Sequence, residues 1–369
     1  MNLAISKDQI SLGLQAVQNV ISSKSTLPIL YNVLLRAEGN RLELTATDLD
    51  IRISAWVEAS VSEPGEITLP ARKLFGIVRE LGHPSVDISV DDKGTCSLRS
   101  GSSFYRIKGL AAEEYPPPPA EKESRSVVVS QATFKGMLRK TSFAMSTDES
   151  RFVLNGIYVA LRSHKLTMVA TDGRRLAMCE EEVDVPADSE GEFIIPAKTV
   201  NELGRLLQEE GTVEIRFSQN QAGFTLKNEK GGMIVIFSKL VEGSYPNYRQ
   251  VIPGEMKQRV TLPREELVHA VRRAEIMTSD KSNAVRFSFT ENNLAITANS
   301  PEVGEAKESI AIEYKEAPLA IAFNPAYLIE PLNALTNDEV FLELIDELSP
   351  GIIKINGPFL YVVMPMRLN

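Results

Sequence analysis

The segment VATDGRRLAM, residues 169–178, carries residue types that could do chemistry. Its Asp-Gly is followed by two arginines, a group that could form the carboxylate and phosphate clamp of an enzyme. The same residues could instead end a strand in a turn, with the arginines present for a partner. The elements that must position Asp172, Arg174 and Arg175 decide between these two interpretations.

The Ala-Thr-Asp of this segment belongs to a pattern that occurs three times. LTATDLDIRIS (44–54) and MVATDGRRLAM (168–178) contain Asp48 and Asp172, and AITANSPEVGEA (295–306) places Asn299 at the corresponding position. A helical pattern precedes each copy, starting at residues 6, 130 and 262, because apolar residues recur there at intervals of three and four. Alternation with period two then predicts antiparallel strands.

A second helical pattern follows each copy and begins with Pro-Ala. These patterns are LPARKLFGIVREL (69–81), IPAKTVNELGRLL (195–207) and NPAYLIEPLNAL (324–335). Proline is favoured near the first helical position, since the N–H that it lacks would have no intrahelical partner there. Each third of the chain is therefore predicted to contain two helices packed on antiparallel sheets, which makes the fold class α+β.

A chain of 369 residues is too long for one ordinary core. The repeat predicts three domains of one fold, over 1–119, 120–252 and 253–369. The first boundary falls at YPPPP (115–119), where consecutive prolines stiffen the chain, and the second lies within SYPNYRQVIPGE (244–255).

The sequence lacks the residue constellations that catalysis or metal binding requires. His83, His164 and His269 are isolated from one another, and no glycine-rich phosphate or dinucleotide motif is present. An aspartate that is repeated in one copy and replaced by asparagine in another is typical of a turn residue rather than of a unique catalytic acid. We therefore predict no catalytic residue, no metal site and no cofactor.

Several features indicate an intracellular protein. Cys96 and Cys179 are far apart and form no disulfide framework, so reduced thiols are expected. No apolar run approaches the roughly eighteen residues that span a bilayer, and MNLAISKDQI has no signal-peptide character. The expected location is the cytoplasm, without membrane contact.

The net charge of −9 argues by itself against nucleic-acid binding. The basic residues nevertheless gather on the helical segments: Arg72, Lys73, Arg79, Lys135, Arg139, Lys140, Lys198, Arg205, Arg264, Arg272 and Arg273. Two interpretations remain, either ordinary solvated helix faces or a cationic helical lining inside an acidic shell. No aromatic residues interleave with these cations, so the second interpretation implies phosphate contact without sequence specificity.

Eight motifs carry a resemblance to a known family. They are TLPIL (26–30), ATDL (46–49), PARK (70–73), VATDGRRLA (169–177), KLVEGSYPNYRQVIP (239–253), ITANSP (296–301), FNPAYL (323–328) and YVVMPMRL (361–368). With the threefold repeat, the chain resembles the bacterial sliding clamps, the β subunits of the DNA polymerase III holoenzyme, over essentially its whole length. The resemblance implies a head-to-tail homodimer that closes a ring of six like domains, with helices lining the hole and sheets outside.

The implied function is that of a processivity factor, which encircles duplex DNA without sequence specificity and performs no chemistry itself. Phosphate contact is then expected from Lys24, Arg72, Arg79, Lys198, Arg205 and Lys281. Ring closure is expected to place Lys73 and Tyr105 of one chain against Ile276 and Met277 of the other, although the pattern of this last pair also fits the end of a core helix. The implied partners are the replicative polymerase α subunit, the clamp loader, and translesion and repair polymerases, at the nucleoid during replication.

The resemblance also gives VATDGRRLAM a role, in a groove that receives short peptides from these partners. Its wall is expected to comprise Leu154, Thr171, Gly173, Arg174, Arg175, Leu176, Pro246, Val251, Asn324, Tyr327, Val362, Met364, Pro365, Met366 and Arg367. Pro365 must interrupt a strand ladder, and methionines suit a surface that repacks around several partners. The pattern alone favours a buried terminal strand there. The family often has histidine at the position of Arg174 and arginine at that of Gln250.

The alternative function is a three-domain peptide-binding scaffold that does not bind nucleic acid. Such a scaffold would keep the groove, but it would not need basic residues confined to helices. An enzyme is disfavoured because the catalytic constellation is missing.

Overall fold

The computed structural model describes residues 1–21, 27–119, 124–227, 232–280 and 283–367. The chain divides into two compact units. The N-terminal unit contains Met1–Lys135 and Asn201–Leu240, and the C-terminal unit contains Gly136–Val200 and Val241–Asn369. Residues of the predicted second domain therefore contribute to both units.

Six α-helices occur in the described residues, two for each predicted repeat: α1 Lys7–Val17, α2 Ala71–Glu80, α3 Gln131–Thr141, α4 Ala197–Leu206, α5 Arg264–Glu275 and α6 Pro325–Ala334. Helix α1 begins after Ser6, whose Oγ accepts a hydrogen bond from the Gln9 N–H at 3.2 Å. Pro70 is the cap of α2 and Pro325 is the first residue of α6. The predicted helix starts at Ser6 and at the Pro-Ala pairs are confirmed.

The N-terminal unit contains two antiparallel sheets among the described residues. The strands of the five-stranded sheet are β1 Asn2–Ser6, β5 Ser60–Glu63, β7 Ser85–Val90, β8 Thr95–Ser100 and β9 Ser103–Lys108, in the order β5-β1-β7-β8-β9. Those of the eight-stranded sheet are β2 Asn32–Glu38, β3 Arg41–Thr47, β4 Ile51–Glu58, β6 Gly65–Pro70, β10 Arg125–Ser130, β15 Thr212–Phe217, β16 Gln221–Lys227 and β17 Met233–Lys239, in the order β10-β15-β16-β17-β4-β3-β2-β6.

The C-terminal unit also contains two antiparallel sheets in its described part. The strands of the eight-stranded sheet are β11 Gly156–Arg162, β12 Lys165–Thr171, β13 Arg175–Glu182, β14 Gly191–Pro196, β18 Gln258–Pro263, β23 Glu339–Leu344, β24 Gly351–Lys354 and β25 Phe359–Val363, in the order β14-β11-β12-β13-β25-β24-β23-β18. Those of the four-stranded sheet are β19 Val285–Thr290, β20 Asn293–Ser300, β21 Gly304–Ala311 and β22 Leu319–Phe323, in the order β21-β20-β19-β22.

The two eight-stranded sheets are built in the same way from strands of two successive repeats. In the N-terminal unit β4 pairs with β17, which places Arg52 opposite Phe237. In the C-terminal unit β13 pairs with β25, which places Leu176 opposite Val362. Each pairing covers strand edges that a separate domain would leave open to other chains.

The helices pack on these sheets through their apolar faces. Helix α1 packs on β3, β4 and α2, and α5 packs on α6, β20 and β21. In α5, Leu267, Val271 and Ala274 are buried, whereas Arg272 and Arg273 are exposed, as the spacing of its apolar residues predicts. None of the helices in the described part of the chain is long and apolar enough to cross a membrane.

Candidate functional site

The segment VATDGRRLAM forms the end of β12, a tight turn and the start of β13. Asp172 Oδ1 accepts hydrogen bonds from the N–H groups of Arg174 and Arg175, at 2.9 and 3.1 Å. Gly173 has a φ of 85°, which glycine adopts without steric cost. The carboxylate of Asp172 therefore closes the turn, and its interpretation as a turn residue is confirmed.

The first copy repeats this arrangement. Asp48 Oδ1 accepts from the N–H groups of Asp50 and Ile51 at 3.0 and 2.9 Å. Asn299, in contrast, lies inside β20 opposite Glu305. Strand β20 continues past Asn299, whereas β3 and β12 end one residue before their aspartates, so the third copy differs in where its strand ends.

Arg175 lies beneath the turn, with 8% of its side chain exposed. Its Nε donates to Asp172 Oδ2 at 3.0 Å, its Nη2 donates to the Phe143 carbonyl at 2.7 Å, and its Nη1 pairs with Glu330. Burial lowers the pKa of Arg175, but neighbouring tyrosine and carboxylate groups raise it above its ordinary value. Arg175 is thus a permanent cation that ties the turn to α6, with each of its three nitrogens donating to a protein group.

The C-terminal segment runs along the other side of the turn. After β25, the Met364 N–H donates to the Arg174 carbonyl at 3.0 Å, and the Met366 N–H donates to the Ala322 carbonyl at 2.7 Å. Pro365 lies between them and has no N–H to donate. The buried terminal strand therefore ends at Val363, and Met364 and Met366 follow it with 44% and 36% of their surfaces exposed.

A buried apolar cluster of Val169, Leu176 and Val362 lies on the sheet beside the turn. Partly buried side chains from the predicted second linker pack against it: Tyr245, Tyr248 and Ile252. Burial raises the pKa of Tyr245, whose hydroxyl lies near the Thr171 backbone but makes no hydrogen bond of good geometry. The tyrosines were not among the predicted site residues, although their spacing around the proline of SYPNY was an available signal.

The predicted groove residues all lie in the C-terminal unit, at different depths. Buried beneath the surface are Leu154, Arg175, Leu176 and Val362. Partly exposed are Thr171, Asn324, Tyr327 and Pro365. Exposed are Gly173, Arg174, Pro246, Val251, Met364, Met366 and Arg367.

Two residues that the sequence did not indicate join this surface. Arg151 Nη1 donates to the Asp172 carbonyl at 3.3 Å. It also lies 2.9 Å from the place that a Cβ at Gly173 would take, so a side chain there would displace it. The neighbouring Phe152 is 60% exposed.

The predicted phosphate-contacting residues differ in their availability. Arg72 and Arg79 on α2 and Lys198 on α4 are exposed, and Arg79 forms an exposed ion pair with Glu80 at 2.9 Å. Arg205 donates to the carbonyls of the last turn of α1, at 2.9 and 2.7 Å, and pairs with a glutamate one turn before it on α4. Lys24 and Lys281 lie outside the described residues.

The residues predicted to close a ring lie next to open strand edges. Strand β9, which contains Tyr105, ends the five-stranded sheet, and β21 ends the four-stranded sheet. Lys73 is exposed on α2, Ile276 is 70% exposed after α5, and Met277 is partly exposed. Phe104, on β9, is 48% exposed. Each unit thus presents an unpaired edge with apolar side chains beside it.

Three family matches together span the chain. Residues 1–119 match the DNA polymerase III beta subunit, N-terminal domain, residues 128–247 match its central domain, and residues 249–367 match its C-terminal domain. The chain belongs to the DNA polymerase III beta subunit family.

Known members of this family are similar over their whole length. The beta sliding clamp of Chlamydia muridarum is 32% identical over 369 residues and that of Pseudomonas aeruginosa is 35% identical over 373 residues, with 100% of both chains covered in each case. The crystal structure of the Pseudomonas aeruginosa subunit has a TM-score of 0.93 at 34% identity, again over 100% of both chains. A sliding clamp from Bartonella birtlesii bound to griselimycin gives the same TM-score and identity, over 100% of both chains. The function of the chain is accordingly that of a DNA sliding clamp, as its sequence motifs predicted.

Proposed function

We propose that this sliding clamp is a non-catalytic processivity subunit that holds partner peptides on the surface around the β12–β13 turn. The observation that supports this most directly is a set of exposed apolar side chains on segments that contact the turn or the cluster beside it: Phe152, Val251, Met364 and Met366. They come from three separate segments of the chain. Contiguous exposed apolar groups are typical of interaction sites. The proposed partners are the replicative polymerase α subunit, the clamp loader, and translesion and repair polymerases.

The turn itself suits an extended peptide. Gly173 is exposed and has no side chain, so a peptide backbone can approach it closely. Arg174 is exposed beside it and can donate hydrogen bonds to the peptide, while Arg175 holds the turn in place from beneath. Each apolar anchor that is fully buried by the surrounding side chains contributes about 1.5–3 kcal/mol to binding.

Fluorescence polarisation with a labelled peptide from the C-terminus of the polymerase α subunit tests the site. A chain that ends at Met364 lacks Pro365 and Met366 and is expected to lose most of its affinity. Val251→Ser is expected to weaken binding severalfold. Val128→Ser is the matched control, since Val128 is similarly exposed, at 57% against 53%, but lies in the N-terminal unit. Equal affinity for the full-length and shortened chains would contradict the proposed site.

We further propose that Lys24, Arg72, Arg79, Lys198, Arg205 and Lys281 contact DNA phosphates without reading sequence. The exposure of Arg72 and Arg79 on one helix supports this for α2. Replacing both with glutamate is expected to lower the slope of log affinity against log salt by about 1.8, at 0.9 per phosphate contact. Lys93→Glu together with Lys227→Glu, at two exposed lysines outside the helices, serves as the charge-matched control. If the slope of log affinity against log salt changes equally in the control, α2 does not contact DNA phosphates specifically.

Ring closure is proposed to join β9 of one chain to β21 of another, in a head-to-tail homodimer. The exposed charges of the two edges include one complementary set, Arg106 and Lys108 on β9 with Glu305 on β21, although Lys307 on β21 is also exposed. A double variant, Ile276→Ala with Met277→Ala, is expected to be a folded monomer by light scattering. Leu348→Ala, at a 64% exposed leucine elsewhere in the C-terminal unit, is expected to remain dimeric. A double variant that stays dimeric at micromolar concentration would exclude this interface.

The remaining assignments are also proposals. We place the domain boundaries at 1–119, 120–252 and 253–369, which is supported by the three family matches. We place the clamp in the bacterial cytoplasm, at the nucleoid during replication, where duplex DNA and its polymerases are found.

A further inference from the structure

The N-terminal unit contains a second copy of the turn that organises the candidate peptide site. This is the β3–β4 turn, which the carboxylate of Asp48 closes. At the end of the neighbouring strand β17, the Lys239 N–H donates to the Asp50 carbonyl of this turn at 2.9 Å. This is the counterpart of the bond from Met364 to Arg174 at 3.0 Å. The backbone framework of the candidate site is therefore present in both units.

Beside the β3–β4 turn lies a cavity of about 110 Å³. It is lined mainly by the turn, the proline tract and β17, with Thr47, Leu49, Arg52, Pro117, Phe237 and Lys239 among its residues. A second cavity of about 110 Å³ shares Gln221 and Phe237 with the first. Each cavity is smaller than the roughly 300–1,000 Å³ of a typical small-molecule pocket, and two adjoining cavities of this size suit neighbouring side chains of a short peptide.

The first cavity contains a cation that lacks an ion pair in the described residues. Arg52 is 8% exposed, and its Nη1 donates to the Pro116 carbonyl at 2.8 Å. The carboxylate whose charge acts on Arg52 is that of Glu43, which accepts a hydrogen bond from Thr45 at 3.0 Å and lies 3.8 Å from Arg36. Burial accordingly lowers the pKa of Arg52. An anion that entered the cavity would stabilise the charged guanidinium.

The rim of the cavity carries a strained apolar residue. Leu49 has a φ of 81° and is 46% exposed, at the position where the other copy of the turn has Gly173. Leucine adopts this backbone conformation only at an energetic cost, whereas glycine does not. Strained and exposed apolar residues are concentrated at binding sites.

We propose that these two cavities form a second docking groove, for a short peptide in which a carboxylate side chain and an apolar one lie on the same side. The apolar side chain packs between the proline tract and Phe237, beside Leu49, and the carboxylate binds Arg52. The groove belongs to the N-terminal unit and does not depend on the peptide site proposed for the C-terminal unit.

The test uses the full-length clamp and a small probe, acetyl-leucyl-glutamyl-4-fluorophenylalanine amide, whose binding is followed by ¹⁹F line broadening. Arg52→Met is expected to weaken binding about tenfold or more, because it removes a charge-assisted hydrogen bond. Leu49→Gly is expected to weaken it about threefold through lost apolar contact, and it relieves the strained φ, so it is expected to fold. The matched probe with glutamine in place of glutamate is expected to bind the native protein as weakly as the original probe binds Arg52→Met.

A chain that ends at Met364 separates this groove from the other site. It is expected to bind the probe as the full-length clamp does. Binding that disappears with the C-terminal residues would place the probe in the C-terminal unit and overturn the proposal. Unchanged affinity in both Arg52→Met and Leu49→Gly, or no binding to the native clamp at millimolar probe, would overturn it as well. Failure of the polymerase peptide to bind would affect only the site in the C-terminal unit.

Discussion

The β3–β4 turn of the N-terminal unit and the β12–β13 turn of the C-terminal unit share a backbone but not the side chains around it. The same threonine and aspartate hydrogen bonds close both turns. The residue after each aspartate has almost the same φ, 81° at Leu49 and 85° at Gly173. The backbone conformation of the turn is thus repeated, even though it requires a strained φ at Leu49.

The sheet beside each turn shows where the copies diverge. In the C-terminal unit Leu176 and Val362 face each other across β13 and β25 and form an apolar cluster. At the same places in the N-terminal unit are Arg52 and Phe237. The same strand register therefore places an apolar pair beside the turn in one unit and a pair that contains a cation in the other. The side chains on the shared backbone, rather than the backbone itself, determine what each turn can bind. Exchanging side chains between the two turns tests this difference.

The largest effect on stability is expected from Leu176→Arg, which places the arginine of the N-terminal pair at the corresponding position in the C-terminal unit. Leu176 is 2% exposed and belongs to an apolar cluster. A buried and unpaired charge there is expected to destabilise the C-terminal unit by about 4 kcal/mol or more. An unchanged stability of the Leu176→Arg variant would mean that the side chains of the two strand pairs are interchangeable.

The two cysteines allow each unit to be followed separately in this experiment. Cys96 belongs to the N-terminal unit and Cys179 to the C-terminal unit, and both are free and buried. Burial raises the pKa of both thiols to about 11, so neither should react at pH 8 until its unit opens. Leu176→Arg is expected to accelerate labelling of Cys179 but not that of Cys96.

A smaller effect is expected from Arg175→Met, which removes the cation that ties the turn to α6. Asp172 and Glu330 then lose a shared partner. Removal of one member of a buried ion pair costs about 3–5 kcal/mol, and the lower end applies here because Glu330 is 40% exposed. The readout is again faster labelling of Cys179. Arg205→Met is the control, since it removes a partly buried arginine from the N-terminal unit and should accelerate labelling of Cys96 instead.

Local features of both regions could be predicted from the sequence because they depend on nearby residues. The helix starts follow from serine caps and Pro-Ala pairs, and the role of Asp172 follows from its repetition as Asp48. The strand boundary beside Asn299 could not be predicted in the same way, because a short motif does not determine where a strand ends. The wall of the peptide site came from family resemblance, since its members lie far apart in the sequence.

The features that could not be predicted depend on distant strands and on burial. The pairing of β4 with β17 joins residues such as Arg52 and Phe237, which no local pattern connects. The burial of Arg175 depends in the same way on α6, and the bonds of Arg205 depend on the last turn of α1. Arginine is exposed in most proteins, so its type alone favoured an exposed partner contact at both positions.

Copying the leucine of the first turn into the second, by Gly173→Leu, is expected to destabilise the C-terminal unit by only about 1–2 kcal/mol. Most of this cost arises from a φ of 85°, which leucine adopts with strain. The new side chain also displaces Arg151, whose flexible end can move. Peptide affinity should fall more than stability does, because the glycine surface is lost. Gly136→Leu, in α3 where a Cβ meets nothing within 4 Å, is the control for added bulk. A variant with full peptide affinity would show that close backbone approach at this turn is unnecessary.

The reverse exchange, Leu49→Gly, has the smallest expected effect and the opposite sign. Relief of the strained φ of 81° stabilises the folded state, while the greater freedom of glycine in the unfolded chain offsets part of the gain. A net stabilisation of at most about 1 kcal/mol is expected, visible as slower labelling of Cys96 with no change at Cys179. A clear loss of stability would mean that the Leu49 side chain, though 46% exposed, contributes packing to its own unit. The strain would then serve the fold rather than a partner, and the resemblance between the two turns would end at the backbone.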